Sequence, residues 1–392
     1  MNNETRDQLG VAILGCGYWG INYVRVFSEL PQVREVTVID QRPDRLEEVG
    51  SRFPGVTLGT DIEDVLRSDD VDVAIICTPA TTHFEVTRRC LDAGKHVLVE
   101  KPITTQVDEA EALISLAEAK GVMLMVGHTF VYNPGVQKVK HYIQQGEAGQ
   151  VYYLYAQRTN LGPIRHDVNA LWDLAPHDVS IFNYLLDSSP TWVTAVGGKI
   201  LQQCCEDFGF ISLGYEDGTI GHIHVSWADP NKVREVVVVG SDKRIVFDDV
   251  KTMEQVRVFE KGVMPSVDEA SSYGEYRFLI RDGDILSPRV EVSEPLKNQC
   301  RHFMDCVMER KQPVTHGQAG LEVVKVMAAI DRSLELNGAP VSVQDIEAPV
   351  SIPHNGIPIA ISRNGGSNPV ARNGTPVTAP HHNQNGKPVE VN

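Results

Sequence analysis

The chain has 392 residues, 42% hydrophobic, 22% charged and 7% aromatic, and carries a formal net charge of −16. That length supports about two domains with real cores, and the acidic balance disfavours non-specific contact with nucleic acid or an anionic membrane. No run approaches the ~18–20 uncharged apolar residues of a membrane span, and no apolar signal core follows Met1. The seven cysteines are scattered with no Cys-x-x-Cys pair, which argues for reduced thiols, a cytoplasmic setting and no structural zinc.

Residues 1–9 are polar and read as a disordered N-terminus. From Gly10 the chain alternates β-branched runs with helix-period segments. The strands are predicted at Val11–Leu14, Val36–Asp40, Val73–Cys77, His96–Val99 and Met123–Val126. The helices between them are predicted at Gly17–Leu30, Pro43–Phe53, His83–Ala93 and Val107–Lys120. This alternation predicts a parallel, doubly wound sheet over residues 10–128.

The pattern changes over residues 129–350. A strand is predicted at 151–158 and a helix near Ala170–Leu186. Strand-like runs then follow at Trp192–Val196, Phe208–Tyr215, Thr219–Trp227, Glu235–Val239, Ile245–Phe247 and Val256–Phe259, with turn signals between them. They predict an antiparallel meander, closed by helices near Leu296–Glu309 and Gln318–Leu336. The segment Ser351–Asn392 holds 6 Pro, 5 Gly and 7 Asn and no aromatic residue. It is predicted to be a disordered tail, because it has too little apolar surface to offset ordering.

Val11–Leu14 runs into Gly15-Cys-Gly17-Tyr18-Trp19-Gly20, a Gly-x-Gly-x-x-Gly that opens a helix. The glycines allow a tight turn, close approach of a pyrophosphate and helix–strand packing. Asp40 ends the second strand 20 residues after Gly20. A strand before the motif and an acidic residue after it are the context that dinucleotide binding requires. Asp40 favours NAD over NADP by repelling a 2′-phosphate, and Arg42 pulls the other way.

Two further groups carry chemistry. His96–Glu100-Lys101-Pro102 places Lys101 at the carboxyl end of a parallel strand, where such sheets bind ligands; the X-Pro bond at this turn is a candidate cis bond. Asp173 and His177 are four apart at the start of a helix and share a face, a spacing suited to a carboxylate that orients an imidazole base. His222 and His224 alternate on a strand with no evident third ligand, so they read as sheet packing and no metal is expected. Arg165, His166, Lys232 and Arg234 are candidates for holding an anionic substrate.

The conjunction of the Gly-rich fingerprint, Thr78-Pro79 followed by His83, Glu100-Lys101-Pro102 and Asp173-x-x-x-His177 resembles the Gfo/Idh/MocA oxidoreductases over residues 10–340. The resemblance implies a Rossmann domain followed by an α/β domain with an open-faced, mainly antiparallel sheet. It also implies that Lys101, Asp173 and His177 form the catalytic set, and that the protein is a homodimer or homotetramer assembled through that sheet. It assigns Gly15, Gly17, Tyr18, Trp19, Gly20, Asp40, Arg42, Thr78, Pro79, His83, Glu100 and Lys101 to the cofactor NAD. The segment from Asn160 to His177 resembles a branch acting on nucleotide sugars of surface polysaccharides, with Arg165, Asn169, Trp172, Lys232 and Arg234 toward the substrate. The implied reaction moves a hydride between a sugar carbinol, expected at C3 of a UDP-sugar, and NAD. An NAD-dependent glycosidase, a dehydrogenase of a free sugar or inositol, and a dinucleotide-sensing regulator are the alternatives.

Overall fold

In a computed structural model the described residues are 8–162, 164–165, 168–201, 204–265 and 278–346. The predicted tail 351–392, most of the predicted N-terminal segment, and His166 lie outside them.

The first half reads β1 (Leu9–Leu14), α1 (Gly20–Glu29), β2 (Val33–Ile39), α2 (Pro43–Arg52), β3 (Thr57–Gly59), α3 (Ile62–Arg67), β4 (Val73–Ile76), α4 (His83–Asp92), β5 (His96–Glu100), α5 (Val107–Lys120) and β6 (Leu124–Gly127). The six strands form one parallel sheet in the order β3-β2-β1-β4-β5-β6. β3 and α3 carry no period visible in the sequence, because three and six residues are too short for alternation or a helical stripe to register. β1 and β4 are buried along their whole length, as strands covered on both faces must be. One face packs under Tyr23, Val24 and Phe27 of α1, and the other under Cys90 and Leu91 of α4 and Leu113 of α5.

The second half begins with α6 (Pro134–Gln144), where Asn133 caps the first turn by accepting from Gly135 N–H and Pro134 opens the helix. Then come β7 (Val151–Thr159), α7 (Ala170–Leu186), β8 (Trp192–Gly198), β9 (Phe208–Gly214), β10 (Ile220–Ser226), β11 (Val233–Gly240), β12 (Arg244–Asp248) and β13 (Val256–Phe259). β14 (Gly262–Pro265) pairs with β15 (Phe278–Arg281), and β16 (Ile285–Leu286), α8 (Pro295–Glu309), α9 (Gly317–Glu335) and β17 (Val341–Ser342) complete the described fold. The large sheet has the order β16-β13-β12-β11-β7-β10-β9-β8-β17. It is not a simple meander: β7 inserts between the β8–β10 and β11–β13 ladders, parallel to β10 and antiparallel to β11.

The two closing helices also differ from expectation. α8 does not cover the second sheet; Leu296, Cys300, Phe303 and Met304 pack with α1 on the first. α9 serves both cores, with Leu321 and Val324 against the first sheet and Val326, Met327 and Ile330 against the second. A helix apolar on most sides is what an element buried between two layers requires.

Candidate active site

The site begins at the carboxyl edge of the first sheet. Gly15 has φ +91°, and a Cβ there would stand 2.8 Å from the carbonyl oxygen of Cys77. A Cβ on Gly20, the first residue of α1, would stand 2.0 Å from the Gly15 oxygen. Around Gly17, by contrast, no described residue beyond its chain neighbours would lie within 4 Å of a Cβ. The two outer glycines close the turn on the sheet and the middle one leaves open backbone before the N-terminus of α1. This is a cradle of the kind that takes a pyrophosphate, so the residues present fit NAD. Tyr18 is exposed, and Trp19 is partly so. Asp40 accepts the Cys16 N–H at 2.8 Å on one oxygen and the Arg42 N–H at 2.9 Å on the other, which holds its carboxylate at the loop.

Glu100 ties this loop to the turn that carries Lys101. Its Oε1 accepts from Trp19 Nε1 at 2.7 Å and from Tyr23 OH at 2.5 Å, and Gln299 of α8 donates to Tyr23 at 2.7 Å. Burial raises the Glu100 pKa above the ordinary carboxylate value, opposed by the Tyr23 bond and by Lys101. The Lys101–Pro102 bond is cis.

Lys101 is where the two halves meet. Its Nζ donates to the Asp173 carbonyl oxygen at 2.8 Å and lies 3.6 Å from Asp173 Oδ1, although the residues are 72 apart in sequence. Burial lowers the Lys101 pKa, Asp173 opposes this and Arg165 adds to it. Arg165 Nη1 stands 3.0 Å from Asp173 Oδ1, and Trp227 Nε1 donates to Oδ2 at 3.2 Å. The Asp173 carboxylate is therefore engaged by Lys101, Arg165 and Trp227, not by His177 as the four-residue spacing suggested. His177 Nδ1 is buried and makes no hydrogen bond among the described residues. The His177 ring packs edge-on against Phe130 at 5.0 Å, and the Arg158 guanidinium covers the Phe130 ring at 4.3 Å. Arg158 is held by a buried two-point pair with Asp178, at 2.9 and 2.8 Å. Burial first, then Lys101 and Arg158, push the His177 pKa well below its ordinary value, so the ring is neutral near pH 7.

Three expected contacts turn out to be structural. His83 is buried, with Nδ1 2.7 Å from the Pro102 oxygen and Nε2 2.9 Å from the Thr78 oxygen; it braces the turn behind Lys101 and presents no surface to a cofactor. Asn169 caps α7 by accepting from Trp172 N–H at 2.9 Å, and its amide reaches Glu206 at 3.2 Å. Trp172 is buried and donates to Asp331 of α9 at 2.7 Å, away from the site. Thr78 receives the Thr82 hydroxyl at 2.8 Å, and Pro79 is exposed beside it. Arg234 lies near enough to lower the His177 pKa and sits 3.6 Å from Asp249, whereas Lys232 is exposed in the loop after β10.

His128, Phe130, Arg158, Asp178 and Trp227 were not picked out from the sequence. His128 follows β6 as Lys101 follows β5, and Glu100 pairs with Gly127, so the two residues occupy neighbouring strand ends. Its ring is buried with both nitrogens unpartnered among the described residues, and burial and Lys101 lower its pKa to about 3. The available signal was an inward histidine at the carboxyl edge of a parallel strand. Among the described residues no group of three or more His, Cys, Asp or Glu is placed to hold a metal. His222 and His224 flank Phe210 on the open face of the second sheet, with ring centroids 6.4 and 4.4 Å away. No helix among the described residues is long and apolar enough to cross a membrane.

Comparison with known proteins agrees with this geometry. The chain is 32% identical over 182 residues to 4-carboxy-2-hydroxymuconate-6-semialdehyde dehydrogenase of Sphingobium sp. (strain NBRC 103272 / SYK-6), covering 44% of this chain and 58% of that protein. It is 25% identical to the scyllo-inositol 2-dehydrogenase (NAD(+)) of Bacillus subtilis (strain 168), over 86% of this chain and 96% of the relative. It is 27% identical to the UDP-N-acetylglucosamine 3-dehydrogenase of Acidithiobacillus ferrooxidans, over 65% and 79% of the two chains. Among solved structures, GenD2 from gentamicin A biosynthesis in complex with NAD superposes with a TM-score of 0.71 at 26% identity, covering 87% of this chain and 98% of that one. Residues 9–128 match the oxidoreductase family with an NAD-binding Rossmann fold, and residues 136–246 match the GFO/IDH/MocA C-terminal domain. With both halves matched and the Gly-rich cradle, Lys101 and α7 assembled at one edge, the chain belongs to the Gfo/Idh/MocA family of NAD-binding oxidoreductases.

Proposed function

We propose that the protein is an NAD-dependent sugar dehydrogenase or ketoreductase whose substrate is a nucleotide-activated hexose, a UDP-N-acetylhexosamine or its uronic acid, oxidised at C3. The observation that carries the reading is the contact of Lys101 with Asp173, which sets a lysine from the cofactor half beside the helix that bears His177. Bound NAD supplies the hydride acceptor. His177 takes the hydroxyl proton, since burial keeps it neutral and ready to accept. Lys101 donates to the same oxygen and stabilises charge that develops on it. Asp173 holds Lys101 and Arg165 in place, and the Arg158–Phe130 stack sets the plane of His177.

Arg165 and Arg234 near the helix motif support an anionic substrate, and the likeness to a UDP-N-acetylglucosamine 3-dehydrogenase supports the UDP-sugar. A cyclitol substrate is the second reading, supported by the likeness to an inositol dehydrogenase along most of the chain. The half-exposed Phe210 and Ile220 and the histidines on the open face of the second sheet suit a homodimer contact. The test of the substrate is NADH formation with UDP-sugars, free hexoses and inositols, and NADH oxidation with the matching keto-sugars. Turnover of a UDP-N-acetylhexosamine or its uronate is expected. Turnover of inositols with no response to any UDP-sugar would overturn the nucleotide-sugar reading and leave the dehydrogenase reading standing.

A further inference from the structure

Asp40 and Arg42 pull cofactor choice in opposite directions, because a carboxylate repels a ribose 2′-phosphate and a guanidinium attracts one. The structure shows where the guanidinium is directed. Arg42 Nη2 lies 2.6 Å from Asp44 Oδ2 and Nε lies 3.3 Å from Oδ1, a two-point contact. The Arg42 backbone N–H meanwhile reaches Asp40 at 2.9 Å, and the other oxygen of Asp40 holds the Cys16 N–H of the Gly-rich loop. Residues 40, 42 and 44 therefore form one corner continuous with the cofactor cradle. Arg42 stands at the N-cap of α2 and Pro43 at its first position, so the start of the helix sets the reach from 42 to 44. The next cation, Arg45, is turned to Glu48 at 3.0 Å. Asp40, Asp44 and Glu48 against Arg42 and Arg45, which also acts on Asp44, leave this corner with net negative charge.

We propose that Asp44 is a specificity-determining residue for NAD over NADP: it engages the guanidinium of Arg42 and adds a second negative charge to the corner beside Asp40. The proposal concerns the choice between two cofactors and leaves NAD binding itself intact. Both side chains are well exposed, 58% for Arg42 and 69% for Asp44. Such pairs contribute little to folding, so replacing Asp44 leaves the fold in place.

The experiment is calorimetric titration of the full chain with NAD+ and with NADP+, for the wild type, Asp44→Asn and the double variant Asp44→Asn/Arg42→Gln. The expected result is that Asp44→Asn lowers the Kd for NADP+ by roughly 3- to 10-fold, the scale of a charge contact at a wet surface. The Kd for NAD+ stays within about twofold, and the gain disappears in the double variant. The gain also shrinks at high salt, as an exposed charge effect must. An unchanged NADP+ affinity in Asp44→Asn overturns the proposal, and so does a gain that survives loss of the Arg42 charge. Asp44→Ser, which also removes the charge, provides the same reading if the asparagine variant loses NAD+ affinity; if its NADP+ affinity is also unimproved, the proposal fails.

Discussion

β4 is buried at every position, whereas β9 and β10 alternate between buried and exposed residues. Both sheets are large and both are packed under helices, yet they are used differently. The parallel sheet has no free face, so a ligand can reach it only at the carboxyl ends of its strands, and Gly15, Asp40, Lys101 and His128 all gather there. The second sheet packs one face on α7 and α9 and leaves Phe210, His222 and His224 on the other. Its part in the candidate site comes from α7, the helix it positions against the first sheet's edge. A covered sheet concentrates chemistry at its rim, and a half-covered one is free to offer a surface to another chain.

The largest effect that tests this division is on rate. Lys101→Met and His177→Ala should each lower turnover by about 10²–10⁴-fold, the usual scale for a positioned proton donor or acceptor. NAD+ affinity should change little in His177→Ala, since His177 belongs to α7 and not to the cradle. Near-normal rates in both variants would show that the contact between the halves is only structural.

A second effect separates the faces by stability. Ile75, fully buried in β4, should cost about 2–5 kcal/mol when replaced by alanine. Phe210→Ser on the open face should change monomer stability by only about 0.5 kcal/mol, as surface substitutions do, and, on the proposed dimer contact, should shift sedimentation toward monomer. Equal losses of stability from the two changes would mean that the open face is a core in its own right.

The smallest effect is in pH dependence. His128 is buried neutral with a pKa near 3, while the unfolded chain takes up a proton from about 6.5 downward. The unfolded state thus binds more protons across that range, and stability should fall as pH drops from 6.5 toward 3. Asp331, raised to about 7 by burial, tilts the other way, losing its stabilising proton as pH rises toward 7. His128→Leu should flatten the acid slope of Tm measured from pH 4 to 7 with little loss of Tm at pH 7, because both ring nitrogens are already unpartnered among the described residues. An unchanged slope would show that His128 is protonated or hydrated in the fold.

Much of the first sheet was legible because parallel strands buried on both faces are written as apolar runs, and because its helices are long enough to show a period. The Gly-rich turn was legible for a similar reason, since its glycines answer backbone constraints that act within a few residues. The insertion of β7 between two ladders, the transfer of α8 to the first sheet and the true partners of Asp173 were not legible. Each depends on contacts across the chain: β7 pairs with β10 and β11, Gln299 of α8 reaches Tyr23 of α1, and Trp227 reaches Asp173.

Local spacing placed Asp173 and His177 on one face of α7, but a shared face permits a contact without requiring it. Lys101, Arg165 and Trp227 compete for the same carboxylate and take it. The sequence by itself determined the cofactor cradle, the strand end that carries Lys101 and the helix that carries His177, because turns and periodicity are short-range. Only the tertiary structure decided which groups surround them, because burial and charge pairing are settled by whatever distant segment arrives at the same place.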